Sequence, residues 1–168
     1  MSPIKWKQHY WHTVSCARER INEIVRRAQG AKNVLDAGCN EGFLSQALKE
    51  SGLKVTSIDI EDKEILKAKE IFGIDAVKAD INKLPFSDGE FDLVIGGEVL
   101  EHLVNPGKGL SELFRVSSDR VIISLPIGEY WLGCSEHLWQ IDTTVIEHDQ
   151  GIKEELIKKI LVMEFKKR

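Results

Sequence analysis

The stretch NVLDAGCNEGFL, residues 33–44, decides the architecture. Val34 and Leu35 begin a short oily run, Gly38 and Gly42 punctuate a turn, and Phe43 and Leu44 open an apolar helical pattern. Strand, tight turn and helix start follow one another without a spacer. The same alternation continues downstream: LKVTSIDI then EILKAKEIF, IDAVKAD then a loop with Pro85, FDLVIGG, GLSELFRV and RVIISLP. Five strands rich in Val, Ile and Leu, with helices between them, predict an α/β fold: a doubly wound, mostly parallel sheet flanked by helices on both faces. Ligands of such sheets bind beyond the carboxyl ends of the strands, so the last residue of each strand and the loop after it carry the functional information.

Upstream, Val14, Ala17, Ile21, Ile24, Val25 and Ala28 fall at helical spacing opposite an Arg/Glu face, and Gly30 closes this helix. Downstream of Pro126 the pattern weakens. GEYWLGCSEHLWQID reads as an aromatic loop, IKEELIKKI as a helix and LVMEF as a last strand, so the C-terminal region is expected to be short.

The 168 residues suit one domain, residues 1–168, with one active cleft. The chain is 42% hydrophobic and 30% charged, and no apolar stretch reaches the roughly 18 residues of a membrane span, so a soluble protein is expected. MSPIKWKQHYWH is too polar for a signal peptide. Cys16, Cys39 and Cys134 are an odd set without CxxC spacing, which argues against disulfides and zinc and for the cytoplasm. The net charge of -4 gives no general attraction to nucleic acid, and Arg18, Arg20, Arg26 and Arg27 read as a solvated face. A monomer or homodimer is expected.

The first turn selects the ligand. The Gly-x-Gly-x-x-Gly dinucleotide fingerprint is absent, since Cys39, Asn40 and Glu41 separate Gly38 from Gly42. Asp36 at the strand end would repel a pyrophosphate seeking the helix N-terminus and attract an ammonium or sulfonium, and Glu41 pushes the same way. Asp59, ending the second strand, is placed to accept from both ribose hydroxyls of an adenosine. Asp80, ending the third, is placed to accept from an adenine amino group, with Ile60 and Ile81 sandwiching the ring. Adenosine, a cation and no phosphate describe S-adenosyl-L-methionine.

These segments together resemble the class I S-adenosylmethionine-dependent methyltransferases, in particular their small type 11-like domains. VLDAGCNEG is similar to their first motif, SIDI to their second-strand acidic motif, KADINKLPFSDGEFDLVI to their third and fourth strands, and ELFRV with VIISLP to the fifth-strand approach. The resemblance covers roughly residues 30 to 127. It implies that Asp36, Gly38 and Gly42 shape the methionine pocket, that Asp59 binds the ribose, and that Asp80 with Ile81 binds the adenine. Asn40 replaces a frequent glycine and suits the left-handed backbone wanted there. SSDR replaces a frequent Gly-Gly turn before the fifth strand, and the short C-terminal region leaves the closing hairpin open to trimming.

FDLVIGG runs directly into EVLEHL, residues 98–103, so Glu98 emerges at the cofactor cleft. In a helix, Glu98, Glu101 and His102 would share one face. In one reading Glu98 lies against the cofactor while Glu101 and His102 form a local polar network. In a second, His102 takes a proton from the acceptor and Glu101 fixes its tautomer. In a third, ExxEH resembles the metal-binding motif of the Hen-type RNA 2′-O-methyltransferases, with His137 or His148 as a further ligand. The favoured set carries no metal: His102, His137 and Glu101 for catalysis, and Glu98 with the cofactor. Tyr130, Trp131 and Trp139 near His137 would line the acceptor pocket, and Trp6, His9, Tyr10, Trp11 and His12 would anchor the first helix on the sheet. The expected activity is methyl transfer to an oxygen, nitrogen or carbon nucleophile of a small-molecule acceptor. RNA 2′-O-methylation and a non-catalytic cofactor-binding module are the alternatives.

Overall fold

The computed structural model describes residues 15–126, 138, 152–157 and 160–167. In chain order the elements are α1 (Ser15–Arg27), β1 (Asn33–Ala37), α2 (Phe43–Glu50), β2 (Lys54–Asp59), α3 (Asp62–Phe72), β3 (Val77–Lys78) and β4 (Phe91–Gly97). A 3-10 turn (Leu100–His102), α4 (Pro106–Val116), β5 (Ser117–Pro126), β6 (Ile152–Ile157) and β7 (Ile160–Lys166) follow. The described strands form one sheet in the order β3-β2-β1-β4-β5-β7-β6. β1 to β5 pair in parallel, while β7 runs antiparallel to both β5 and β6.

Alternation along the strands divides the core between two faces. Val34, Leu93, Ile95 and Ile122 point to the side covered by α1 and α2, where Ile21, Ile24, Ala47 and Leu48 meet them. Leu35, Val94, Val121 and Ile123 point to the other, under Leu113 and Val116 of α4. Burial on both faces explains why these strands read as continuous oily runs. Helix α4 starts where its sequence says it should: Pro106 occupies the first turn, and the Lys108 N–H donates to Asn105 Oδ1 at 3.0 Å. Arg115 at its far end donates to the carbonyls of Leu84 and Phe86 and so moors the loop that precedes β4.

Four expectations change. IKEELI is a strand, not a helix: Ile152 and Leu156, four residues apart, share a face in either period, and antiparallel pairing with β7 decides between them. The β6–β7 hairpin therefore completes the sheet, and the C-terminal region is not trimmed of it. The third strand is an edge pair, Val77–Lys78, that stops two residues short of Asp80. Finally, only half of the arginine cluster of α1 is a solvated face: Arg18 and Arg26 are exposed. Arg20 and Arg27 are buried, and buried Glu23 binds Arg26 and Arg27. Burial raises the Glu23 carboxyl, but the two guanidiniums outweigh it and hold the group at about 2.

Candidate functional site

The turn from β1 to α2 is built on positive φ angles at Gly38 (79°), Asn40 (49°) and Gly42 (85°). A Cβ on Gly38 would come within 2.7 Å of Val99 Cγ2, so glycine is needed there for space as well as for conformation. Asn40 tolerates the left-handed region, as its residue type suggested. The Gly38 and Cys39 N–H groups both donate to the Ile58 carbonyl, at 3.0 and 2.8 Å, which pins the turn to β2.

Asp36 and Asp59 stand at neighbouring strand ends and are both buried. Ser45 Oγ donates to Asp36 Oδ2 at 2.6 Å and lies 2.6 Å from Ser57 Oγ, which leaves Ser57 as the donor in that second bond. Burial pushes the Asp36 carboxyl up to about 6, against the pull of Ser45 and Arg20. Asp59 accepts from the Asn40 N–H at 2.8 Å through Oδ2 and from the Glu61 N–H at 2.9 Å through Oδ1. Each oxygen keeps a second lone pair for a ligand hydroxyl. Glu41 is tied by Lys67 Nζ at 3.1 Å, so its charge is offset and the cation-attracting role expected of it falls to Asp36.

The sequence reading missed Arg20. Its guanidinium lines the cleft together with Asp36, Gly38, Asn40, Glu41 and Gly97. Nη2 lies 3.3 Å from Glu98 Oε2 and Nη1 donates to Ser124 Oγ at 3.4 Å, joining α1 to the ends of β4 and β5. A Cβ on Gly97 would lie 3.1 Å from Nη1, so the bare glycine makes room for this approach. The signal was present: Arg20 is three residues after Ala17 and four before Ile24, a charge set along an apolar helical stripe.

Glu98, Glu101 and His102 do not share a helical face. Glu98 has φ 53° and lies before the 3-10 turn, with its N–H bonded to the Ser124 carbonyl at 2.9 Å. Glu101 is 1% exposed, whereas His102 faces solvent. Neither Glu101 oxygen has a hydrogen-bond partner, so the expected Glu101–His102 pair is not formed. Burial raises the Glu101 carboxyl to about 8, with the negative charge of Glu98 adding to it and the residue's own backbone N–H and the Arg20 charge pulling against it. The Leu138 N–H donates to the Glu101 carbonyl at 2.8 Å, which places this one residue against the turn. Among the described residues no three His, Cys, Asp or Glu side chains gather as a metal-holding group.

At the other end of the cleft Ile60 is 55% exposed, while Ile81 is buried in the core with Leu84 and Leu100. The two do not present equal faces to a ring. Asp80 is exposed, and its Oδ1 accepts from the Asn82 N–H at 2.8 Å. His137, His148, Tyr130, Trp131, Trp139 and the aromatic N-terminal residues lie outside the described residues.

A family model described as a methyltransferase domain matches residues 35–123, which hold the glycine turn, both buried aspartates and Glu98. The chain belongs to the methyltransferase domain family. Its fold is that of S-adenosylmethionine-dependent methyltransferases: it superposes on such an enzyme from Archaeoglobus fulgidus with a TM-score of 0.72 at 17% identity, covering 89% of this chain and 92% of that one. Magnesium protoporphyrin IX methyltransferase of Synechocystis PCC 6803, solved with bound S-adenosylhomocysteine, gives 0.71 at 19% identity over 91% of this methyltransferase domain and 84% of its neighbour. In sequence, malonyl-[acyl-carrier protein] O-methyltransferase of Erwinia billingiae is 35% identical over 114 residues, 67% of this chain and 45% of that protein. The methyltransferase domain thus spans less than half the length of that curated relative. Among its described residues no helix is long and apolar enough to cross a membrane.

Proposed function

We propose that this methyltransferase domain moves the methyl group of S-adenosylmethionine to an oxygen, nitrogen or carbon nucleophile of a small-molecule acceptor. The observation that carries the reading is the charge order along the cleft. Arg20 and Asp36 face one lining, and Asp59 stands at the next strand end. A guanidinium beside a carboxylate suits the zwitterion of an amino acid, with Arg20 holding its carboxylate and Asp36 its ammonium. Asp59 takes the ribose hydroxyls, and Asp80 with Ile60 and Ile81 takes the adenine. Asn40 shapes the backbone between these groups, and Glu98 holds Arg20 in place.

When bound, the cofactor supplies an activated methyl on a sulfonium, so the chain's own task is to position, exclude water and receive a proton. Glu101 and the solvent-facing His102 are the candidates to receive that proton, and His137 is a further candidate from the sequence. Arg20 and Arg27 are buried and so unavailable to a nucleic-acid backbone, which favours a small molecule over RNA. The protein works in the cytoplasm as a monomer or homodimer. Calorimetry tests the core of the proposal: S-adenosylmethionine and S-adenosylhomocysteine should both bind and NADH should not. Binding of NADH alone would reverse the assignment. Transfer of labelled methyl to a panel of small hydroxyl, amine and carbon acid compounds then identifies the acceptor.

A further inference from the structure

Lys67 stands on α3, behind the glycine turn, and its side chain is 43% exposed, yet its ammonium ends on two buried acids. Nζ donates to Glu41 Oε1 at 3.1 Å and to the two Glu64 oxygens at 3.1 and 3.2 Å. Donating to Glu41, and next to Glu64, holds the amine charged above its ordinary range. Glu64 belongs to α3, whereas Glu41 belongs to the glycine turn and lines the cleft. Ala68, the next residue of α3, packs against the same turn: a Cβ on Gly42 would lie 3.2 Å from Ala68 Cβ. Adjacent residues of the helix thus hold adjacent residues of the turn, one by packing and one by charge. Among the described residues that line the cleft, the charged ones are Arg20, Asp36 and Glu41. Arg20 is offset by Glu98, so the balance in the cleft depends on how much of the Glu41 charge Lys67 cancels.

We propose that Lys67 is a specificity-determining residue that acts through Glu41: by cancelling this lining carboxylate from behind the turn, it sets how strongly the cleft prefers the cationic cofactor over its demethylated product. The inference rests on the methyltransferase reading. S-adenosylmethionine and S-adenosylhomocysteine share the carboxylate, ammonium and adenosine and differ by the sulfonium. A lining carboxylate without its counter-charge attracts the sulfonium and leaves the thioether nearly untouched. Two buried acids that lose their shared ammonium also repel each other, and of the two only Glu41 borders the cleft. The arrangement has a catalytic sense. A carboxylate that stabilises the sulfonium stabilises a charge that the reaction removes, so cancelling it keeps the bound cofactor from being held better than the transition state.

The test needs no acceptor. Both ligands are titrated by calorimetry at pH 8 and low salt into the wild type, Lys67→Gln, Lys67→Arg, Glu41→Gln and the double variant Lys67→Gln/Glu41→Gln. A unit charge acting across a partly solvated cleft shifts an equilibrium by roughly three- to tenfold. The ratio of the two affinities should therefore move by about that factor toward S-adenosylmethionine in Lys67→Gln, and the shift should shrink in 0.5 M sodium chloride, a concentration at which the screening length is only about 4–5 Å. Lys67→Arg restores the charge and should restore the wild-type ratio. In the Glu41→Gln background, Lys67→Gln should leave the ratio where Glu41→Gln alone put it. Equal weakening of both ligands in Lys67→Gln would make the lysine a support of the turn and refute the proposal. So would an unchanged ratio, or a shift that survives without the Glu41 carboxylate. Failure of both ligands to bind the wild type would instead overturn the methyltransferase reading, and this inference with it.

Discussion

Replacing Arg20 by Met keeps most of the buried stem and removes the guanidinium, so it tests the amino-acid end of the cleft with little loss of packing. A hydrogen bond to a charged group contributes about 1.5–3 kcal/mol, and each 1.4 kcal/mol is tenfold in affinity. S-adenosylmethionine and S-adenosylhomocysteine, which both bear the carboxylate, should therefore bind about 10- to 150-fold more weakly to Arg20→Met. The variant also strands Glu98. That side chain is 18% exposed, so water reaches it, and about 1 kcal/mol of stability is at stake, a fall of roughly 2–4 °C in Tm. The decisive comparison is 5′-methylthioadenosine, which has the same nucleoside and no amino-acid group. Calorimetry should give it equal affinity for both proteins. If it weakens as much as the other two ligands, Arg20 supports the fold of the cleft and holds no carboxylate.

Asp36→Asn should raise stability at pH 7 while weakening cofactor binding. The folded carboxyl titrates at about 6, above its usual 3.8, so its contribution is fully present below pH 3.8 and lost as pH rises through 6. That is about 3 kcal/mol by pH 7, and denaturant melts of the two proteins from pH 4 to 7 should converge at the acid end. The same sign holds for Glu101 between pH 4.5 and 8, so the Tm of the wild type should drop more between pH 6 and 9 than that of Glu101→Gln. Gly38→Ala combines a φ of 79° with a 2.7 Å clash on Val99; it should cost about 2–4 kcal/mol by urea titration, and a loss under 1 would contradict the turn geometry. Gly97→Ala crowds Arg20 Nη1 at 3.1 Å and should weaken S-adenosylhomocysteine several-fold with little change in Tm; unchanged binding would argue against Arg20 as a ligand.

The parallel half of the sheet was legible because burial on both faces leaves an unambiguous mark, as in Val34–Leu35 and Phe91–Ile95. The glycine turn and the aspartates at the first two strand ends followed from the same logic. What escaped were features set by tertiary contact. Ile152 and Leu156 fit two periods, and only pairing with β7 chooses one. Glu98 leaves β4 with a left-handed backbone that its residue type does not announce, and this turn sends Glu101 inward and His102 outward. Arg20 was counted as surface charge because arginine usually is; its place on the apolar stripe was the better guide.

The contact between Arg20 and Glu98 has a consequence for how this molecule is divided. Similarity to the family begins at residue 35 and ends at 123, yet the guanidinium in the cleft comes from α1 and the antiparallel hairpin from beyond the matched stretch. A fragment cut to the shared boundaries would keep the glycine turn and the aspartates but lose the cation that faces them.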